Sequence, residues 1–264
     1  MKGDIQDIHM KNKIFVITAA GGNGTAIQIL DHALSRAEYA EQGKQLLEKM
    51  ERFGAEQAGF LIPKNKHFEM AGGEFCGNGS RSAAVLLSEI QQKPKVSFTV
   101  SGFDGVVTAK VRKTSDKTYF VEGIFPGLST IRKDITLSDG QKVKIIDLGG
   151  IVHVILKAPF PSQRNVYPTI HKKITRELNL ENRSAVGVIW IEHLKGAIKM
   201  HPVVWVKEVN SFFYEQSCGS GTIAVSKATG ITSVIQPTGQ KIEAKIVPEK
   251  ISLRSDMEVI HSED

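Results

Sequence analysis

The two cysteines of this chain occur in matching glycine-rich contexts. Cys76 lies in "GGEFCGNGSRSAA" (72–84) and Cys218 lies in "EQSCGSGTIAV" (215–225). Each pattern predicts a cysteine immediately before a helix, where the positive end of the helix dipole favours an anion. At such a position we expect the thiol pKa to fall below its free value of about 8.5, so that a thiolate forms near neutrality. The backbone N–H groups of the same helix end can bind a carboxylate.

Two such motifs together suit one type of reaction. Inverting a stereocentre next to a carboxylate requires a base that removes a proton from one face and an acid that delivers a proton to the other. One cysteine would be the thiolate base and the other the thiol acid, with the roles exchanged in the reverse reaction. The two sets of helix N–H donors would stabilise the charge that builds up on the carboxylate oxygens.

Other interpretations of the cysteines stay open. A single cysteine is most often a small buried hydrophobic residue. A thiol nucleophile assisted by a histidine base would instead catalyse covalent chemistry. Neither explains why the motif occurs twice. A structural disulfide is not expected in a reducing compartment.

The rest of the composition narrows the class of protein. The chain has no CxxC and no HExxH, and its eight histidines lack metal-ligand spacing, so we predict neither a metal site nor a cofactor. The "GGNG" at 21–24 lacks the spacing of a dinucleotide-binding loop. The net charge of +6 comes from scattered Lys and Arg, which argues against nucleic-acid binding. The expected partner is a small amino-acid substrate, with neither nucleic acid nor membrane, and a homodimer stays open.

The expected location is the cytoplasm. No apolar run approaches the ~20 residues of a membrane span. The N-terminal "MKGDIQDIHMKNK" carries acidic residues and lacks the apolar core of a signal peptide.

The elements that must position the cysteines repeat along the chain. In the first half the predicted strands are "KIFVITA" (13–19) and "AIQILD" (26–31) around a turn at "GGNG", then "AGFLIP" (58–63), "KHFEM" (66–70), "KVSFTV", "GVVTAKV" and "TYFVEGI". In the second half they are 142–148, 151–158, 184–192, 197–206, "TSVIQP", "KIEAKIV" and "KISLRS". Helices are predicted at 36–52 and 79–91 in the first half, and at 165–179 and 220–228 in the second.

This repetition predicts two homologous halves whose cysteines face each other. Cys218 lies 142 positions after Cys76, near half the length of the 264-residue chain. We expect an α+β protein in which each half is a strand-rich layer wrapped around the helix that follows its cysteine. The best boundary is "IFPGLS" (124–129), which gives domains 1–125 and 126–264. An alternative that stays open is that the last strand packs back on the first half.

At these residues the sequence resembles the diaminopimelate epimerase superfamily of cofactor-independent amino-acid racemases and epimerases, over most of the chain. The resemblance implies a diaminopimelate-epimerase-like fold. This fold has two pseudo-symmetric domains, each with a mainly antiparallel sheet around a central helix that its cysteine leads. It implies Cys76 and Cys218 as the acid/base pair. It also implies substrate contacts from Asn23 in "GGNG" and Gln57 in "EQAGF" (56–60). The loops that would hold the α-carboxylate contribute Gly77, Asn78, Gly219, Ser220, Gly221 and Thr222.

Departures from the pattern argue against diaminopimelate as the substrate. Diaminopimelate epimerases carry a Glu-Arg pair eight or nine residues before the second cysteine, and a bidentate Arg is the natural clamp for a distal carboxylate. Those positions are Val209 and Asn210 here, and no Arg lies between Arg183 and Cys218. Two asparagines of the pattern are also missing: the one expected in "GGIVH" (149–153), and one that aligns with an alanine at 185.

Several short sequence segments are instead similar to the histidine racemase branch of the superfamily. The similar segments are "GGEFCGN", "EQAGF", "IVHVI", "YEQSCGSGT" and "IQPTGQ". This resemblance implies conversion of L-histidine to D-histidine, with metallophore biosynthesis as one destination, and retains His153 as a site residue. Glu56 and Glu215 are candidates to bind the substrate ammonium or imidazole, the alternative for each being a solvated or capping glutamate.

Three alternative functions stay open. They are a diaminopimelate epimerase, a proline or hydroxyproline racemase, and a non-catalytic binding module of the same fold. Proline racemases usually carry His where this chain has Asn78, which disfavours a cyclic imino acid.

Overall fold

The structure is a computed structural model that describes residues 12–161, 163, 166–207 and 211–263. It divides into two compact units, Met1–Leu128 with Pro248–Asp264, and Ser129–Val247. Two sequence predictions concern residues outside the described ranges: the N-terminal segment 1–11, and the positions Val209 and Asn210. Within the part of the chain that is described, none of the helices is both long enough and apolar enough to cross a membrane.

The elements make this a sheet-rich α+β protein. The described α-helices are α1 (Arg36–Met50), α2 (Gly77–Gln91), α3 (Tyr167–Glu177) and α4 (Gly219–Thr229). The strands of the first unit are β1 (Ile14–Ala19), β2 (Gly22–Ile29), β3 (Ala55–Ile62), β4 (His67–Met70), β5 (Lys95–Val100), β6 (Phe103–Lys113), β7 (Thr118–Pro126) and β16 (Lys250–Glu263). Those of the second unit are β8 (Ile131–Thr136), β9 (Lys142–Asp147), β10 (Val152–Leu156), β11 (Ala185–Leu194), β12 (Ala197–Val206), β13 (Ser211–Tyr214), β14 (Ser233–Ile235) and β15 (Lys241–Val247).

The strands of the first unit form a closed ring. They pair in the order β1 to β7, then β16, and β16 pairs again with β1. The pairings are antiparallel except for β2–β3 and β4–β5. A closed sheet leaves no unpaired edge, and this ring surrounds a helix.

Helix α2 is the centre of the first unit. It packs against β1, β2, β4, β5, β6, β7 and β16 of the ring. Its residues from Gly77 to Leu87 are all buried. A helix buried on every side needs small or apolar residues all round, which explains "GNGSRSAAVLL" except for one large charged residue, Arg81.

Helix α1 covers the outside of the same ring. It begins with a capping box, in which the Ser35 side chain accepts from the Glu38 N–H and the Glu38 carboxylate accepts from the Ser35 N–H. Its buried side chains join those of β3 in one apolar cluster that includes Tyr39, Leu46, Met50, Phe60 and Ile62. The ring is therefore packed from both sides.

The second unit has a similar plan with an open sheet. Its strands pair in the order β8, β9, β10, β11, β12, β14, β15, and β13 pairs with β12 beside β14. Helix α4 packs against β9, β10, β14 and β15. Helix α3 packs on β12, and its Ile174 joins an apolar cluster with Trp190 and Leu156. Each unit thus holds one buried helix led by a cysteine and one outer helix.

The four predicted helices are confirmed, with ends that differ by at most two residues. The predicted turn at "GGNG" is misplaced. The turn is at Ala20 and Gly21, both with positive φ, and β2 already begins at Gly22. A two-residue hairpin of this kind needs positive φ at both central residues. The turn therefore begins one residue before the motif and includes only its first glycine.

Two strands were not predicted. Strand β8 is exposed at every residue, so it shows none of the alternation that reveals a half-buried strand. It forms because its backbone pairs with β9 along its whole length. Strand β13 is only four residues long and pairs with the end of β12.

Candidate active site

Cys76 is the N-cap of α2. Its backbone is extended, with φ −130° and ψ 111°, and its Sγ atom accepts a hydrogen bond from the Gly79 N–H at 3.2 Å. Its carbonyl oxygen accepts from the Ser80 N–H at 2.9 Å and from the Ser80 hydroxyl at 2.7 Å. The sulfur therefore takes the place that a Ser, Thr or Asp oxygen usually fills at a helix start.

Cys218 has the same geometry at the start of α4. Its φ and ψ are −129° and 108°, and its Sγ atom accepts from the Gly221 N–H at 3.2 Å. Its carbonyl oxygen accepts from the Thr222 N–H at 3.0 Å and from the Thr222 hydroxyl at 2.7 Å. The prediction that each cysteine leads a helix is confirmed, and the two motifs are local copies of one another.

The second glycine of each motif is required by packing. A Cβ atom at Gly79 would lie 2.9 Å from the Met70 sulfur and 3.0 Å from the Phe68 ring. A Cβ atom at Gly221 would lie 3.0 Å from the Cys218 sulfur and 3.1 Å from Ile189. Real Cβ atoms rarely tolerate such contacts, so a side chain here would push the sulfur or the helix out of place.

The Cys76 thiol faces a glutamine from the neighbouring sheet. Cys76 is half-buried, and its Sγ atom lies 3.3 Å from the Oε1 atom of Gln57 on β3. The Nε2 atom of Gln57 donates to the Thr25 hydroxyl at 2.8 Å. The predicted site residue Gln57 is therefore in direct contact with the cysteine.

Asn23 and Glu56 form a second contact in the same unit. Asn23 is buried and adopts φ 46°, a left-handed conformation that Asn tolerates better than most residues. Its backbone N–H donates to the carboxylate of Glu56, which otherwise faces solvent at the start of β3. Partial desolvation raises the Glu56 pKa, and the hydrogen bond from Asn23 opposes this rise.

Arg81 is a residue that our sequence reasoning missed. It is 1% exposed, and its guanidinium donates to the Gly77 carbonyl at 3.2 Å, the Asn78 Oδ1 atom at 2.6 Å and the Ser255 hydroxyl at 2.5 Å. It thereby fixes the amide of Asn78, whose oxygen is turned to the guanidinium. The signal in the sequence was an arginine inside an otherwise small and apolar helix.

Cys218 differs from Cys76 in its surroundings. It is 2% exposed, and Glu215 lies in hydrogen-bonding contact with its thiol. Burial raises the pKa of Cys218 well above its usual value, and the Glu215 carboxylate raises it further. Hydrogen bonds from Ser220 and the Gly221 N–H act in the opposite direction but are weaker. The sequence prediction of a lowered thiol pKa is therefore wrong for Cys218, because desolvation and a like charge outweigh the helix dipole.

His153 reaches the second cysteine through Ser220. Its Nε2 atom lies 2.9 Å from the Ser220 hydroxyl, which lies 3.6 Å from the Cys218 sulfur. His153 is fully buried on β10, and desolvation lowers its pKa to about 3. Its Nδ1 atom has no hydrogen-bond partner among the described residues. The imidazole is therefore neutral and positions the serine.

Gln236 is a second residue that sequence reasoning did not single out. It is fully buried, and its Oε1 atom accepts from the Cys218 N–H at 2.9 Å. Its Nε2 atom donates to the Thr222 hydroxyl and the Val234 carbonyl, each at 3.1 Å. It lies in the "IQPTGQ" segment, which gave the signal. The Thr222 hydroxyl thus donates to the Cys218 carbonyl and accepts from the Gln236 amide, so it links Gln236 to the start of α4.

The structure groups the predicted residues by unit. Those of the first unit are Asn23, Glu56, Gln57, Cys76, Gly77 and Asn78. Those of the second are His153, Glu215, Cys218, Gly219, Ser220, Gly221 and Thr222. Gln57 contacts Cys76 at the start of α2, and Glu215 and Ser220 contact Cys218 at the start of α4, whereas Asn23 and Glu56 are shown in contact with each other. Each helix N-terminus offers a sulfur and backbone N–H donors, an arrangement suited to proton transfer next to a carboxylate.

Solved structures with the same fold cover nearly all of the chain. A phenazine biosynthesis protein of the PhzF family from Enterococcus faecalis superposes with a TM-score of 0.56 at 14% identity, covering 95% of this chain and 97% of that one. A predicted epimerase from Pseudomonas aeruginosa gives a TM-score of 0.63 at 12% identity, covering 96% and 99%. At these identities the likeness concerns the fold alone.

Sequence relatives are more specific. Two proteins named histidine racemase, from two strains of Fusobacterium nucleatum, are 34% identical over 195 residues and 31% identical over 216 residues. These matches cover 70% and 78% of this chain, and 72% and 79% of the relatives. A histidine racemase from Staphylococcus aureus is 24% identical over 214 residues, covering 77% of this chain and 75% of that one. The family model described as the histidine racemase CntK N-terminal domain matches residues 15–252. The chain therefore belongs to the histidine racemase family.

Proposed function

We propose that this protein is a histidine racemase that works without pyridoxal phosphate or metal and uses Cys76 and Cys218 as base and acid. The observation that carries the proposal is the pair of matching cysteine N-caps in a chain of the histidine racemase family. Each cap joins a proton-transferring sulfur to a carboxylate-binding helix end.

The proposed chemistry is a balanced exchange of two protons. A thiolate removes the α-proton of histidine from one face, and the electron pair is delocalised into the carboxylate. A thiol then delivers its proton to the α-carbon from the opposite face, which leaves the inverted amino acid, one new thiol and one new thiolate. The first-turn N–H groups of α2 and α4 stabilise the charge on the carboxylate oxygens. This requires both sulfurs to reach one α-carbon, as in the diaminopimelate-epimerase-like arrangement that we propose.

Two carboxylates are proposed to recognise the rest of the substrate. The Glu56 carboxylate faces solvent at the start of β3 and is free of any ion pair among the described residues. Glu215 lies against the Cys218 thiol. Both are suited to an α-ammonium or an imidazole, which donate hydrogen bonds. D-Histidine for metallophore biosynthesis is the proposed product, and a homodimer is the proposed alternative to a monomer.

Exchange of the α-proton tests this function. Purified protein, treated with a chelator and free of pyridoxal phosphate absorbance, would be incubated in D2O with L-histidine, D-histidine, diaminopimelate or L-proline and followed by proton NMR. We expect loss of the α-proton signal from both histidine enantiomers and appearance of the opposite enantiomer on a chiral column.

Each other outcome has a defined meaning. Exchange of diaminopimelate or proline without exchange of histidine would overturn the substrate assignment. No exchange of any amino acid under reducing conditions would overturn the racemase and favour a binding module. Activity that returns only on addition of a metal ion or pyridoxal phosphate would overturn cofactor independence.

A further inference from the structure

The two cysteines have the same backbone geometry but different charged residues near them. Arg81 lies five residues after Cys76, and the corresponding residue after Cys218 is Ile223. Glu215 lies three residues before Cys218, and the corresponding residue before Cys76 is a glycine at position 73. The first motif thus carries a cation that the second lacks. The acidic residues of the two motifs stand at different positions, Glu215 three residues before Cys218 and Glu74 two residues before Cys76.

Arg81 is a buried cation whose hydrogen-bond partners are all neutral. Its guanidinium donates to a carbonyl, an amide oxygen and a hydroxyl, from Gly77, Asn78 and Ser255. None of the carboxylates in the described part of the chain contacts it. Burying a charge without a counter-charge is costly. Its pKa falls to about 10, so the guanidinium stays protonated near neutrality.

Cys76 is the ionisable group that interacts electrostatically with this guanidinium. Arg81 bonds to the carbonyl of the residue that follows Cys76, on the helix that Cys76 caps. Burial lowers the pKa of Arg81, and a negative charge on the Cys76 sulfur opposes that lowering. By reciprocity the guanidinium favours the Cys76 thiolate.

Glu215 has the opposite effect on Cys218. Its carboxylate contacts the Cys218 thiol, which is 2% exposed. A carboxylate that accepts a hydrogen bond from a thiol stabilises the protonated form and repels the thiolate. The other groups around this sulfur are the hydroxyl of Ser220, with neutral His153 behind it, and the amide of Gln236 at the Cys218 N–H. The Gly221 N–H also donates to the sulfur, and none of these groups among the described residues carries a full positive charge.

We propose that Arg81 and Glu215 are positioning residues that give the free enzyme one defined protonation state, with Cys76 as the thiolate and Cys218 as the thiol. The inference rests on the proposed racemase function and assigns the direction of its first proton transfer. Cys76 accepts the α-proton of the enantiomer that meets the resting enzyme, and Cys218 delivers its proton to the opposite face. The reverse reaction starts from the less populated state.

The Gln57 contact is compatible with a Cys76 thiolate. The oxygen of the amide accepts from a thiol at 3.3 Å, whereas the nitrogen, after a half-turn of the amide, donates to a thiolate. The Thr25 hydroxyl then changes from acceptor to donor. The same three side chains therefore bind either protonation state.

The chain offers a direct test because it has only two cysteines. In Cys218→Ser the only thiol is Cys76, and in Cys76→Ser it is Cys218. The ultraviolet absorbance of the thiolate would be titrated in each, with the Cys76→Ser/Cys218→Ser variant subtracted. We expect the Cys76 midpoint to lie at least about one pH unit below that of Cys218, a tenfold difference in the ratio of thiolate to thiol.

Further substitutions identify the cause. In the Cys218→Ser background, Arg81→Met should lower the thiolate-to-thiol ratio of Cys76 about tenfold or more, while Arg81→Lys should preserve most of it because the charge remains. The matched control is Arg112→Met, which removes an exposed arginine of the same unit and should change nothing. In the Cys76→Ser background, Glu215→Gln should raise the ratio for Cys218 about tenfold.

Several results would overturn the proposal. They are equal midpoints for the two cysteines, a Cys76 midpoint above that of Cys218, or no response of Cys218 to Glu215→Gln. If Arg81→Met does not fold, the proposal is still tested by the thiolate midpoints of the two single-thiol proteins and by the effect of Glu215→Gln on Cys218. The titration needs no substrate, so absent histidine exchange would overturn the proposed function alone, and equal midpoints would overturn this inference alone.

Discussion

The Oε1 atom of Gln57 lies 3.3 Å from the Sγ atom of Cys76. At this distance a charge introduced at position 57 should change the ionisation of the Cys76 thiol. We predict that Gln57→Glu lowers racemisation near neutral pH about tenfold or more, because a carboxylate at this distance opposes the thiolate. The rate should recover as the pH rises. Gln57→Met is the control, since it removes the amide without adding charge and should leave the pH midpoint of the rate in place. A loss that is the same at every pH would show that Gln57 acts only through binding.

Cys76→Ser and Cys218→Ser should each reduce racemisation by about 10² to 10⁴, because a serine hydroxyl is too weak an acid to supply a resting base. Each variant should retain slow exchange of one enantiomer, and the two variants should retain opposite ones. The measurement is deuterium incorporation into L- and D-histidine separately, after circular dichroism has shown that the fold is intact.

Two results would count against the two-base assignment. Wild-type racemisation of both enantiomers by either variant would remove that cysteine from the chemistry. Loss of exchange with the same enantiomer in both variants would indicate one base and a structural second cysteine.

Gly187→Ala should disrupt the second cysteine through His153. An added Cβ atom would lie 2.1 Å from the Nδ1 atom of His153, which holds Ser220 beside Cys218. Overpacking of this kind costs about 1–3 kcal/mol. We expect a lower urea midpoint together with a lower kcat. Gly150→Ala is the matched control, because nothing lies within 4 Å of a Cβ atom there. Equal urea midpoints and equal kcat values for the two variants would show that the His153 ring can move aside without loss of stability or activity.

Two buried histidines should make the fold sensitive to acid. Desolvation lowers the pKa of His153 to about 3 and that of His171 to about 4. The unfolded chain, with the ordinary value of about 6.5, binds protons that the folded chain does not. The free energy of unfolding therefore falls as the pH drops through about 6.5, by about 2 kcal/mol per histidine at about pH 5. The loss continues until the pH reaches the folded values.

Urea unfolding at about pH 7.5 and pH 5 measures this effect. His171→Gln should be less stable at neutral pH yet lose less stability on acidification, because one of the two titrating groups is gone. His32→Gln, which changes an exposed histidine, should lose as much as the parent. A parent protein with equal stability at both pH values would contradict the burial of neutral imidazoles.

The local sequence was enough to locate the helices and the two cysteines that lead them. Helix formers, small residues and N-terminal caps act within a few positions of one another. The repeated C-G-x-G-[ST] motif therefore predicted both N-caps, and the structure confirmed them. The resemblance of "EQAGF" implied that Gln57 contacts the substrate, and the structure places its Oε1 atom 3.3 Å from the Cys76 sulfur.

Only the tertiary structure decided the direction in which the pKa of Cys218 shifts. The pKa of Cys218 depends on burial and on Glu215, and burial is a property of the whole second unit. A helix dipole can be predicted from the sequence, but the desolvation that opposes it cannot, which is why our expectation for Cys218 was wrong. The same holds for Arg81, whose Ser255 partner lies 174 positions away.

The sequence by itself therefore determined where the two cysteine N-caps lie, because residue type and local caps are encoded within single segments. The tertiary structure determined the exposed strand β8, the pairing of His153 with Ser220, the burial of Arg81 behind the first cap and the contact of Glu215 with the second cysteine. These features depend on residues distant in the chain, and the free energy of a buried charge depends on every group packed around it.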